Sequence, residues 1–166
     1  MRASIFPATA LALAVAAFGV TAANAEGPRP KDVSAVQACL SKRQTTAEQE
    51  RCIEVVAKPC IGDEGARAPF DVIACLRREQ LVWDQMLNAA YVKLQKNLEE
   101  GERNKLREMQ RSWLDTRERT CGFFYDYFQG TMANPMMANC DNRETARRAI
   151  FLLGFADDLP KDDKGK

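Results

Sequence analysis

Six cysteines, at positions 39, 52, 60, 75, 121 and 140, and not one histidine constrain this chain more than anything else in it. An even number of cysteines in an exported protein reads as a disulfide framework. Zinc sites instead use Cys-x-x-Cys spacing or histidine ligands, and no two of these cysteines stand that close. Cys39, Cys52, Cys60, Cys75, Cys121 and Cys140 are therefore expected to form three disulfides, with no metal and no cofactor. Cys39 and Cys52 flank a turn and a capped segment, and Cys60 and Cys75 flank a loop and a helix start in the same way. That echo favours Cys39–Cys52, Cys60–Cys75 and Cys121–Cys140. Each bond would close a loop of roughly 15 to 20 residues and contribute about 3 kcal/mol through lost chain entropy.

The start of the chain supplies the oxidising compartment. Met1 and Arg2 lead into an uncharged apolar run from Ala8 to Val20, and the small residues Ala23-Asn24-Ala25 end it. This is the three-part pattern of a secretory signal peptide, with cleavage expected after Ala25. The run is shorter than the roughly 20 apolar residues of a membrane span. No cysteine lies beside the cleavage point to carry a lipid. The product is expected to be periplasmic or secreted, with no membrane anchor after cleavage. Removing Arg2 balances the 24 basic residues against the 23 acidic ones, which argues against nucleic acid as a partner.

Apolar spacing predicts an all-α fold. Residues 26–32 read as a loose Pro- and Gly-rich leader, 33–156 as one domain and 157–166 as a charged flexible tail. Short helices are expected over Val33–Leu40 and about Ala47–Ala57. The second carries capping boxes at Thr45/Glu48 and Thr46/Gln49 and is stopped by Pro59. A long helix should follow Pro69 from Phe70 to Glu99, and another should run from Glu102 to Phe128. The short charged turn around Gly101 makes these two a long antiparallel hairpin. A loop from Gln129 to Asn139 and a last helix over Asn142–Phe155, capped by Asp141 and Glu144, complete the reading.

In that hairpin Asp84, Asn88 and Tyr91 lie on one inner stripe, and Gln110, Trp113 and Arg117 on the other. Inward polar groups must be hydrogen-bonded. The expectation is a structural clamp in which Asp84 bonds Arg117 and Asn88 bonds the Trp113 indole N–H or Gln110, with Tyr91 facing Gln110 at the same level. No catalytic residue emerges. Glu79 and Asp84 point in different directions, whereas glycoside hydrolysis needs two carboxyls facing across roughly 5 to 9 Å. Ser34, Ser41 and Ser112 have no histidine to activate them. An enzyme is not expected. The stretch with Met132, Asn134, Pro135, Met136 and Met137 stands out as a candidate partner-binding loop, since methionine adapts to protein surfaces.

Asp84-x-x-Leu87-Asn88-x-x-Tyr91, then Gln110-Arg111-x-Trp113-x-x-x-Arg117-x-x-x-Cys121, then Gly130-Thr131 and Cys140, resemble the LprI-like lysozyme inhibitor family. The resemblance runs from about residue 60 to 153. It implies a small, helical, disulfide-bonded envelope protein whose partner is a protein, c-type lysozyme, inhibited sterically. The chain departs from the lipoprotein members in lacking a lipobox cysteine, and its Cys39–Cys52 segment lies outside the shared motif. The alternative is an envelope structural or stress-adaptor module without lysozyme contact. Oligomeric state is not legible in the sequence.

Overall fold

The computed structural model describes residues 27–63, 65 and 68–159, so the expected signal peptide and most of the tail lie outside the described residues. Six α-helices account for nearly all of it: α1 (Pro30–Leu40), α2 (Thr46–Gln49), α3 (Ala57–Gly62), α4 (Pro69–Asn97), α5 (Glu100–Tyr127) and α6 (Ala133–Asp158). Short 3₁₀ turns occupy Glu50–Cys52 and Gly130–Met132, and no strand occurs among the described residues. The disulfides are Cys39–Cys52, Cys60–Cys75 and Cys121–Cys140. Among the described residues no helix is long and apolar enough to cross a membrane.

Prolines set several helix starts. Pro30, Pro59, Pro69 and Pro135 all lie in the first turn of a helix, where the backbone N–H has no intrahelical acceptor to lose. This corrects three expectations. The leader ends earlier, because α1 begins at Pro30. Pro59 sits inside α3 instead of stopping a helix. The predicted helix over Ala47–Ala57 is broken into α2, a 3₁₀ turn and a kink at Glu54, whose φ is +76°. Only the Thr45/Glu48 capping box forms, with Glu48 N–H donating to Thr45 Oγ1 at 3.3 Å and Thr45 N–H donating to Glu48 Oε2 at 3.2 Å.

The core lies between α4 and α6. Val82, Trp83, Leu87, Ala90 and Leu94 from α4 meet Ala146, Ala149, Ile150, Leu152 and Ala156 from α6. Three of those α6 residues are alanines, which let the backbones approach closely. Each large side chain buried there stabilises the fold by about 1.5–3 kcal/mol. Val36, Cys52, Ile53 and Val56 cap this layer from the N-terminal segment. Helix α5 is different. Only Leu106 and Cys121 of its 28 residues are buried, and it packs chiefly on α6. The hairpin connection is present, but α6 is the surface on which both long helices rest.

The kink at Glu54 is held by one side chain. Glu79 on α4 is fully buried, and its carboxyl accepts the backbone N–H groups of Glu54 (2.6 Å), Val56 (2.7 Å) and Ala57 (2.8 Å). It also accepts the Trp83 indole N–H at 2.9 Å and the Asn142 amide at 3.3 Å. The left-handed backbone of a non-glycine residue costs on the order of 1 kcal/mol or more. Here the surroundings over-determine it, since Arg143 and Lys58 also grip the Glu54 carboxylate at 2.9 and 3.1 Å.

Asp32, expected in the leader, is buried and takes a bidentate grip from Arg78 at 2.6 and 2.7 Å. That contact holds the Asp32 carboxyl below its ordinary range, against the opposing push of burial. A carboxyl whose pKa falls on folding stabilises the fold above its unfolded value. That stabilisation is lost as pH drops through the folded value. Asp32→Asn is therefore expected to cost about 2 kcal/mol near neutrality, with the deficit closing below about pH 4. Thermal melts of both proteins across this range check it; a deficit unchanged in acid would contradict it.

Candidate functional site

Two surfaces gather residues that the fold does not consume. The first is the corner where α5 turns into α6. Gly130, with φ +79°, permits the reversal, and Cys121–Cys140 ties the end of α5 to the third turn of α6 with Cα atoms 5.4 Å apart. Just beyond Cys121 stand Phe123, Tyr125 and Tyr127, which are 60%, 57% and 68% exposed. Phe123 stacks on Tyr127 at 5.7 Å, and Tyr127 meets Phe128 edge-on at 5.1 Å. Met132, 56% exposed, stands on the 3₁₀ turn that follows.

The predicted Met-rich loop is mostly not a loop. Residues from Ala133 onward form the first turns of α6, so the expected cap at Asp141 lies mid-helix. Of the five candidate contact residues, Pro135 is buried, Met136 and Met137 are half-buried, and Met132 and Asn134 are exposed. Tethering by Cys140 and a proline suited to a first turn explain the change.

The second surface lies between α4 and α5. The two helices bond to each other near their connecting turn, through Gln95 to the Arg103 carbonyl at 3.3 Å and Arg107 to Gln95 at 3.4 Å. Farther from the turn they leave a groove of about 300 Å³. Asp84, Asn88 and Tyr91 line one wall; Gln110, Trp113 and Arg117 line the other, with Arg107 and Arg111. The structure thus brings all six predicted clamp residues to one place without pairing them across it. Asn88 donates to Asp84 at 3.0 Å along its own helix. Gln110 accepts from Arg148 at 2.8 Å, and Arg117 donates to Thr145 at 3.1 Å. Neither an ion pair nor a hydrogen bond joins Asp84 to Arg117. The reason is α6, which offers Thr145 and Arg148 as nearer partners and so removes the need for a clamp between α4 and α5.

Cations crowd the Trp113 ring, with Arg117 at 4.9 Å and Arg148 at 5.5 Å from its centre. Burial pulls the Arg148 guanidinium down from its ordinary range. Burial pushes the nearby Asp141 carboxyl up, with Arg117 and Arg77 opposing. A larger groove of about 620 Å³ lies at the other end of the bundle, against Leu94, Leu106, Phe151 and Phe155. It is apolar, and its charged lining residues Glu102, Lys105 and Asp158 are all exposed. Among the described residues no cluster of His, Cys, Asp and Glu could hold a metal ion.

With this geometry in place, the comparisons fall on the same helices. Residues 60–152 match the family described as Lysozyme inhibitor LprI, and the chain belongs to that family. Neither a curated protein nor a solved structure matches the chain. The matched span contains the α5–α6 corner, the α4/α5 groove and two of the three disulfides. Sequence reasoning missed the aromatic corner, although a signal was present. Five of the six residues from Phe123 to Phe128 are aromatic. A run of that length goes round the helix, so some of the rings have to face outward.

Proposed function

We propose that this protein is an exported inhibitor that binds a c-type lysozyme through the α5–α6 corner and blocks it sterically. The observation that carries the reading is the exposure of the stacked pair Phe123 and Tyr127, one helical turn apart, on a corner closed by a disulfide. Exposed aromatic patches of this kind mark protein-binding surfaces, and tyrosine is enriched among the residues that dominate binding energy. The staple adds a second advantage, since a pre-ordered surface loses less conformational freedom on docking. Family membership supports lysozyme as the partner, and the three disulfides fit an exported protein. The protein acts by occupying a surface and performs no chemistry.

Adding the oxidised protein to a c-type lysozyme is expected to slow lysis of bacterial cell walls in a saturable manner. Tyr127→Ala is expected to weaken that inhibition about 30-fold, the effect of losing a dominant interface side chain. Because Tyr127 is exposed, its loss should leave the helical signal and the melting point intact. Lysozyme turnover unchanged at a large molar excess of the parent protein would overturn the reading.

A further inference from the structure

The α4/α5 groove carries more hydrogen-bonding groups than its folding role needs. Removing every hydrogen bond and ion pair already made inside the protein leaves three polar groups of this lining without one: the Tyr91 hydroxyl, the Trp113 indole N–H and the whole Arg111 guanidinium. The other polar groups are held from outside the groove or along their own helix. Arg107 is anchored by Gln95 and Asn104, Arg117 by Thr145, and Gln110 by Arg148. Such anchoring fixes their orientation, so a ligand would meet groups that are already in place.

Charge then narrows the ligand. Three guanidiniums line the groove against the single carboxylate of Asp84, which favours an anion. Guanidinium forks match carboxylates in plane and pair with them in two parallel bonds. Asp84 narrows it further. A bare phosphate would be repelled by that carboxylate, whereas a ligand with hydroxyl or amide N–H groups would use it. Asn88 and Gln110 accept and donate in the same way. A space of about 300 Å³ takes a ligand the size of a single substituted sugar ring and excludes a folded chain.

We propose that the groove between α4 and α5 is a binding site for a carboxylated sugar, with Arg111 as the principal contact to the carboxylate and Asp84 and Asn88 taking ring hydroxyl or amide groups. The site is separate from the aromatic corner and does not require that the protein inhibit lysozyme.

The chain contains two tryptophans, which makes the test simple. The Trp83 indole is buried against Glu79, while Trp113 lines the groove, so their two indole N–H signals in a ¹H–¹⁵N spectrum report on core and groove separately. Titrating the oxidised protein with N-acetylmuramic acid is expected to move the Trp113 signal saturably and leave the Trp83 signal in place. N-acetylglucosamine, which lacks the carboxylate, and acetate, which lacks the ring, are each expected to bind at least about tenfold more weakly. Arg111→Gln, at an exposed position with no internal bond, should fold as the parent does and lose about tenfold in affinity. The proposal is overturned by the absence of a saturable Trp113 shift, by equal binding of either control, or by unchanged affinity in Arg111→Gln. A lysozyme assay on the same samples reads the corner independently, so each site can fail alone.

Discussion

Glu79→Leu is expected to destabilise the protein by at least about 4 kcal/mol and to lower its melting point by more than about 10 °C. Leucine fills the space but accepts nothing. The backbone N–H groups of Glu54, Val56 and Ala57, the Trp83 indole and the Asn142 amide would all lose this acceptor. A buried donor without a partner costs about 1–3 kcal/mol, and partial rehydration limits the total. Glu79→Gln separates the acceptor role from the shape. It keeps one carbonyl oxygen and turns an NH₂ toward groups that are themselves donors, so its loss should fall between that of leucine and the parent. Urea titration followed by far-UV circular dichroism measures both. A Glu79→Leu protein within about 1 kcal/mol of the parent would show that the Glu54 kink stands without this carboxyl.

The other large effect is expected from reduction. Cys39–Cys52 ties α1 to the first 3₁₀ turn, Cys60–Cys75 ties α3 to α4, and Cys121–Cys140 ties α5 to α6. Helices α1, α2 and α3 are 11, 4 and 6 residues long, too short to persist unaided in water. Helix α5 buries almost nothing of its own. At about 3 kcal/mol for each bridge, the three together rival the roughly 5–15 kcal/mol of a whole small domain. The fully reduced protein is therefore expected to lose most of its helical signal at about 37 °C, where the oxidised protein keeps it. Reduced and oxidised forms melting within a few degrees of each other would show that the α4–α6 core suffices.

Much of this architecture was legible because it rests on local rules. The long helices follow from uninterrupted apolar periodicity after Pro69 and on either side of the turn near Gly101. The cysteine pairing followed from elements that neighbour one another in sequence. What the sequence did not disclose depends on the identity of packing partners. An inward stripe on α4 reads the same whether it meets α5 or α6, and it is the small residues Ala146, Ala149 and Ala156 that let α6 pack most closely. The Asp84, Asn88, Tyr91, Gln110, Trp113 and Arg117 set lines one groove, but its hydrogen bonds run along α4 and to α6 and not across the groove. Glu79 looked like an ordinary helix glutamate, because its five donors come from segments up to 63 residues away. Pro59 reads from the sequence as a helix stop and Pro135 as part of a loop, whereas both lie in the first turn of a helix, where a missing N–H costs no intrahelical bond.

Measuring lysozyme inhibition by the parent protein and by the double variant Cys121→Ser/Cys140→Ser, with circular dichroism on both, ties the fold to the proposed activity most directly. The parent is expected to inhibit in one-to-one complexes. The variant should keep the α4–α6 core and lose at least about tenfold in potency, because the Phe123–Tyr127 corner is no longer held in place. A parent protein without effect on the enzyme, or a variant as potent as the parent, would contradict it.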